Sequence, residues 1–271
     1  MASSDGVLLV VCGAAGRMGR RLIALGSATP GLRVTGAMES PGHPAVGSDA
    51  GELAGIGRIG VTVGDDLAAL CAPEQIVIDF TVPSATLAHA RLAAERGAGL
   101  VIGTTGLSAD ETRTLRETAA RTRAVIAANF SVGVTVLTEL VAAAARLLDP
   151  SFEPEIVELH HHDKRDAPSG TALALGRAIA AARGSDFAAT AVTARSGEVG
   201  PRRANEIGIV ALRGGDVVGD HTVVLAGLGE RLELTHRAQS RDSLVRGALR
   251  AAAWVATRPA GVYGMRDVLG L

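Results

Sequence analysis

The sequence predicts an α/β protein in two parts: a doubly wound parallel sheet, then an α+β module with a mostly antiparallel or mixed sheet. Three observations predict it. Apolar β-rich runs alternate with helical patterns as far as residue 130. A glycine-rich turn, Gly13-Ala14-Ala15-Gly16-Arg17-Met18-Gly19, stands between the first such run and the first helical pattern. Beyond residue 150, β-rich runs follow one another with glycine pairs between them, as antiparallel strands do.

The elements follow in order. Residues 7–12 form a continuous apolar run, as a strand buried on both faces requires. A helix starting at Gly16 carries Met18, Leu22, Ile23 and Leu25 on its apolar side, and 32–38 is a second strand. Strands at 61–63, 76–80, 99–102 and 124–127 alternate with helical patterns at 66–71, 84–96 and 108–121. A longer helix at 131–148 marks a change of character near Phe130. A strand at 155–162 and a helix at 169–183 come next, then β segments at 192–195, 207–213, 216–226 and 230–236. Gly214-Gly215 and Gly227-Leu228-Gly229 read as hairpin connections, and a last helix at 242–256 has Ser240 as its cap.

Composition narrows the function classes. The 271 residues suffice for two modest domains. Hydrophobic residues make up 47% but aromatics only 2%, so the cores are built from Ala, Val, Leu and Ile. A net charge of −1 with scattered arginines leaves no electrostatic footprint for nucleic acid. No apolar run spans a bilayer, and the first residues lack the charged and apolar regions of a signal peptide. Cys12 and Cys71 have no metal or redox spacing, and Cys12 reads as a small buried hydrophobe. The expectation is a soluble, cytoplasmic protein with no membrane partner.

The glycine turn follows a strand and opens a helix. Gly13 makes the tight turn, Gly16 lets the backbone approach a pyrophosphate, and Gly19 lets helix and sheet approach. The helix N-terminus adds amide donors and partial positive charge. Such a turn also occurs without a ligand; Glu39, at the end of the second strand and placed to accept from a ribose, is what points to a dinucleotide. Ser40 stands where a cation would meet a 2′-phosphate, so the cofactor expected is NADH and/or NADPH, with a lean to NADH, although Arg17 could reach that phosphate. Later strand ends, Asp79-Phe80-Thr81-Val82-Pro83, Gly103-Thr104-Thr105-Gly106 and Ala127-Ala128-Asn129-Phe130, fit the same site, because open α/β sheets bind ligands there.

The densest chemistry lies at 155–172, where His160, Lys164 and Arg165 precede Pro168-Ser169-Gly170-Thr171. On a strand, His160 and His162 share one face and His161 takes the other, so the three histidines do not assemble a metal shell and no metal is expected. Ser169 is a good N-cap, and the amides of Ser169, Gly170 and Thr171 form an anion pocket. The nearby cations depress the pKa of His160, and a dicarboxylate would raise it again. The substrate should be small, anionic and in need of a proton.

The run E-I-V-E-L-H-x-x-x-K-x-D-x-P-S-G-T-A resembles the signature of the 4-hydroxy-tetrahydrodipicolinate reductase (dihydrodipicolinate reductase) family, from diaminopimelate and lysine biosynthesis. The resemblance extends over nearly the whole chain, through G-x-x-G-R-M-G, Gly103–Gly106, Ala128–Gly133 and Met265-Arg266-Asp267-Val268-Leu269. It implies a Rossmann-like domain at 1–130 completed by 241–271, a substrate-binding and oligomerisation domain at 131–240, and a homotetramer. By the same resemblance His160 is the acid/base and Lys164 the partner proton donor. His161, Gly170 and Thr171 bind substrate, and the nucleotide meets Gly13, Ala14, Ala15, Gly16, Arg17, Met18, Glu39, Gly103, Thr104, Thr105, Ala127, Ala128, Asn129 and Phe130; the strand-end reading adds Thr81. The implied reaction is NAD(P)H-dependent reduction of 4-hydroxy-tetrahydrodipicolinate, via dihydrodipicolinate, to tetrahydrodipicolinate. Two positions depart from the family pattern: His162 where many members have Arg, and Ser40 where a basic residue is usual. Rival readings are another two-domain NAD-dependent dehydrogenase of an acidic amino acid and a non-catalytic dinucleotide sensor. A sensor would need neither His160 nor Lys164.

Overall fold

The computed structural model describes residues 6–271; the first five, read above as carrying no signal peptide, lie outside the described residues. The chain divides into two compact units, one running to Ser131 and resuming at Asp242, the other spanning Val132–Arg241. No helix among the described residues is long and apolar enough to cross a membrane.

The first unit alternates β1 (Val7–Cys12), α1 (Arg17–Ala28), β2 (Leu32–Met38), α2 (Ala50–Leu53), β3 (Val63–Gly64), α3 (Leu67–Leu70), β4 (Gln75–Asp79), α4 (Pro83–Glu95), β5 (Gly99–Ile102), α5 (Ala109–Ala119) and β6 (Arg123–Ile126). The second contains α6 (Val132–Leu147), β7 (Glu153–His160), α7 (Gly170–Ala182), α8 (Phe187–Thr190), β8 (Ala191–Val192), β9 (Ile207–Arg213), β10 (Gly219–Ala226) and β11 (Arg231–Ala238). The chain then returns to the first unit as α9 (Asp242–Val255), β12 (Gly261–Tyr263) and α10 (Met265–Leu269). Arg21 on α1 holds the start of α9 through Asp242, at 2.9 Å from Nε and 2.5 Å from Nη2.

In the first unit seven parallel strands run in the order β12-β6-β5-β4-β1-β2-β3. β4 and β5 are buried along their whole length; the apolar run Leu100–Ile102 and the apolar centre Ile76–Ile78 anticipate it, while Gln75 and Asp79 at the ends of β4 are buried polar residues. Strand order reverses between β1 and β4, and that switch point opens a crevice at their carboxyl ends. Gly13 turns the chain there with φ of +70°. A Cβ on Gly19 would collide with the carbonyl of Gly13, so α1 can begin this close to the turn only with glycine in that position. The edge strand β12 escapes sequence reading because three half-buried residues carry no periodicity.

The second unit is a mixed sheet in the order β11-β10-β7-β9-β8, with α6 and α7 packed on one face. Ile156, Leu175, Ile179, Ile209, Val223 and Leu225 are fully buried between sheet and helices. Each contributes about 1.5–3 kcal/mol of burial. Val157, Val210 and Leu212 line the other face and are exposed.

Three sequence expectations are corrected here. Gly214-Gly215 is not a hairpin turn, because β9 and β10 lie on opposite sides of β7, parallel and antiparallel to it respectively. β7 is the central strand of the five and takes a partner on each edge, so the glycines carry the chain around its end. That crossover also stops β7 at His160 rather than at residue 162: Gly214 N donates to His160 O, His161 N to Val217 O and His162 N to Gly215 O. His161 and His162 therefore lie in a turn, not on the two faces of a strand. The expected strand at 192–195 shrinks to Ala191–Val192, preceded by the single turn of α8. Gly227-Leu228-Gly229 does join the antiparallel pair β10 and β11.

Candidate active site

Around the glycine turn a cavity of about 490 Å³ is lined by Gly13, Gly16, Glu39, Ser40, Thr81 and His89, with Met38, Pro41, Phe80 and Val82 among its apolar walls. Ala14 N donates to Met38 O at 3.0 Å and Gly16 N to Gly13 O at 3.0 Å, which fixes the turn against β2. Glu39 Oε1 accepts from Ala15 N at 2.8 Å, and Oε2 accepts from Ser40 N at 3.1 Å. One carboxylate thus braces the turn and also lines the cavity. Arg17 is exposed and Met18 half-buried at the start of α1. An apolar cleft with one fixed carboxylate and a helix N-terminus fits the adenosine and pyrophosphate of a dinucleotide.

The strand-end residues converge on a group that sequence reading left without a role. Asp79, only 1% exposed at the end of β4, accepts from Thr81 N at 2.8 Å, Thr81 Oγ1 at 2.6 Å, Thr86 Oγ1 at 3.1 Å and Thr104 Oγ1 at 3.3 Å. His89 Nδ1 lies 2.7 Å from its other oxygen. Burial pushes the Asp79 carboxyl up, but the His89 and Thr81 hydrogen bonds outweigh it and hold the pKa below its usual value. Cys12, Asp79 and His89 bring potential ligand atoms within 4.8 Å of one another, yet the carboxylate already serves these donors. An acid closing an otherwise apolar strand was the available signal. Gly103 abuts the Phe80 ring and Thr105 is exposed. Ala127 is half-buried and Ala128 exposed, while Asn129 Oδ1 accepts from Ser131 N at 2.8 Å. Phe130 is buried against Phe80, ring centroids 5.4 Å apart, so its side chain belongs to the core.

In the second unit the centre is Glu158, which sequence reading passed over as one more strand residue. It is fully buried, and its Oε2 lies 2.5 Å from His160 Nδ1. Oε1 accepts from Ser169 N at 2.9 Å, and Arg213 reaches both oxygens at 2.9 and 3.0 Å. Burial raises the Glu158 carboxyl, but Arg213, His160 and the Ser169 amide together hold it below its usual value. His160 moves down. Burial is the largest cause, Lys164 and Arg213 add to it, and only Glu158 opposes. The sequence anticipated this direction from the cations alone.

His221 stands edge-on to His160, ring centroids 5.1 Å apart, and its Nε2 meets Ser169 Oγ at 3.1 Å. Burial, with the neighbouring His160 charge, takes its pKa to about 4. Ser169 caps α7 through Ala172 N at 3.2 Å. Its amide and hydroxyl are both spent inside the protein, which corrects its reading as an anion donor: it positions the turn. Gly170 begins α7, is exposed, and a Cβ there would meet nothing within 4 Å. Lys164 Nζ donates to Asp166 Oδ1 at 2.7 Å, His161 is half-buried, and His162 Nδ1 lies 2.9 Å from Gly215 O. The His160 and His162 rings thus meet different partners, a buried carboxylate and a backbone carbonyl.

Residues 7–130 match the family described as dihydrodipicolinate reductase, N-terminus, and residues 133–269 the corresponding C-terminus. The chain is 53% identical to a 4-hydroxy-tetrahydrodipicolinate reductase from an Anaeromyxobacter species, covering 98% of both chains. It is 48% identical to one from Citrifermentans bemidjiense, over 98% of this chain and 99% of that one. Its fold is similar to that of a dipicolinate-bound dihydrodipicolinate reductase from a Paenisporosarcina species, with a TM-score of 0.73, 20% identity, and coverage of 97% and 98%.

Proposed function

Because the chain belongs to the dihydrodipicolinate reductase family, we propose how its own residues carry the reduction of 4-hydroxy-tetrahydrodipicolinate to tetrahydrodipicolinate. It is an NAD(P)H-dependent oxidoreductase of diaminopimelate and lysine biosynthesis. The nucleotide belongs to the first unit and the substrate to the second. A reduced nicotinamide dinucleotide, when bound, supplies the hydride.

The glycine turn and the N-terminus of α1 bind the pyrophosphate, and Glu39 accepts from ribose hydroxyls. Gly170 and Thr171 bind a substrate carboxylate at the N-terminus of α7, with Lys164 adding charge. The space over Gly170 suits such a group, because a side chain there would fill it. His160 donates the proton that the reduced ring requires, and Lys164 assists. A bound dicarboxylate raises the His160 pKa from its low resting value, so the imidazole is protonated when it is needed. The carrying observation is that Glu158 touches both His160 and Ser169, which brings the proton donor and the anion turn within reach of one carboxylate.

NADH is the favoured nucleotide in this reading. Ser40 is exposed beside Glu39, and a carboxylate without an adjacent cation repels a 2′-phosphate. A cytoplasmic homotetramer completes the proposal, supported by the exposed apolar sheet face of Val157, Val210 and Leu212. The test is NADH and NADPH oxidation in an assay coupled to the aldolase that generates the substrate. Turnover with NADH at least equal to that with NADPH is expected, and no oxidation of either would overturn the reading.

A further inference from the structure

We infer that Glu158 is a positioning residue, a single carboxylate that fixes the tautomer of His160 and its placement relative to the anion turn of α7. This rests on His160 being the proton donor. Glu158 precedes His160 by two residues on β7, so both side chains leave the same face of the strand. The other inward residues of that strand, Pro154 and Ile156, are apolar, and packing alone would favour an apolar side chain at 158 as well. Instead the carboxylate is fully buried and engages His160, Ser169 and both terminal nitrogens of Arg213.

The chemistry follows from hydrogen-bond capacity. An ionised carboxylate only accepts, so Nδ1 of His160 carries a permanent proton and Nε2 is the atom that exchanges one. The opposite side of the ring supports this. Gly219 on β10 faces Nε2, where a Cβ would stand 2.9 Å away. The φ of Gly219 is not among the positive values, so its backbone does not call for glycine; the missing side chain leaves room at the exchanging nitrogen. The second oxygen of Glu158 holds the Ser169 amide, and through it the first turn of α7. Arg213 keeps the carboxylate charged. Around His160 the charged or titratable neighbours are thus Glu158, Lys164, Arg213 and His221, and only the first favours the imidazolium.

The experiment compares Glu158→Gln, Glu158→Asp and His160→Gln with wild type, measuring kcat against pH, KM for substrate and NADH binding. Glu158→Gln should lower kcat by about tenfold to a hundredfold. It should move the basic limb of the profile to lower pH, raise KM, and leave NADH binding unchanged. Glu158→Asp keeps the charge and should restore the pH limb without full kcat. A pH limb and KM like those of wild type in Glu158→Gln, while His160→Gln is inactive, would overturn the inference alone; full activity in His160→Gln would overturn the donor assignment beneath it. Should Glu158→Gln not fold, the ¹⁵N spectrum of labelled wild type decides, with the His160 signal assigned by its loss in His160→Gln. Neutral His160 should show a protonated Nδ1, and a protonated Nε2 would refute the role given to Glu158.

Discussion

His160 Nδ1 and Glu158 Oε2 lie 2.5 Å apart on the buried face of β7, so the imidazole of this site is held by a carboxylate from its own strand. The other ring nitrogen is the one left for chemistry. Replacing His160 with Gln should remove proton donation while keeping a polar side chain of similar reach. We expect kcat to fall by about 10²–10⁴ with little change in substrate affinity. Steady-state kinetics at fixed pH check this, and a kcat within a few-fold of wild type would end the assignment.

Gly170→Val addresses the anion turn. A Cβ at that position meets no protein atom within 4 Å, so the variant should fold. Its methyl groups would occupy the space assigned to a substrate carboxylate. Calorimetric titration with pyridine-2,6-dicarboxylate in the presence of NADH should show about tenfold or greater weakening. NADH affinity should not change. Joint weakening of both ligands would indicate a folding defect, and no weakening would move the carboxylate site elsewhere.

Ser40→Arg tests nucleotide choice. Ser40 is exposed next to Glu39, and a guanidinium there would meet a 2′-phosphate through paired hydrogen bonds. The ratio of kcat/KM for NADPH over NADH should rise by about tenfold. A wild-type enzyme already strongly selective for NADPH would assign phosphate recognition to Arg17 or another cation.

The pH dependence of stability follows from His221. Burial takes its folded pKa to about 4, whereas the unfolded imidazole titrates near its usual value of 6.5. Between those values the unfolded chain binds more protons, so stability is complete above about pH 6.5 and falls as pH drops toward 4. The loss from this residue is on the order of 3 kcal/mol. His160 and His236 are also displaced downward, with burial the leading cause, and add the same sign. Thermal melts of wild type and His221→Asn over this window should give a shallower slope for the variant; parallel slopes would place the effect in another group.

Much of the nucleotide half was readable in order along the chain. Gly13, Gly16, Gly19 and Glu39 announce themselves because a strand–turn–helix unit is local, and each glycine answers a nearby backbone demand. Asp79 and His89 did not, since their partners Thr81, Thr86 and Thr104 come from a turn, a helix and the end of the next strand. In the other half, Ser169 was recognised as a cap, but the spending of its amide on Glu158 was not visible.

By itself the sequence determined the alternation of strands and helices, the glycine turn, the capped helix after Pro168 and the placement of His160 on a strand leading to it. These depend on periodicity and on contacts between residues close in the chain. Only the tertiary structure decided that β9 and β10 flank β7, and that Arg213 and His221 thereby reach Glu158, His160 and Ser169. Strand order depends on which edges pair across long separations, and a glycine pair reads the same in a hairpin as in a crossover. The buried carboxylate of Glu158 takes its meaning from Arg213, 55 residues away, and no local pattern records that.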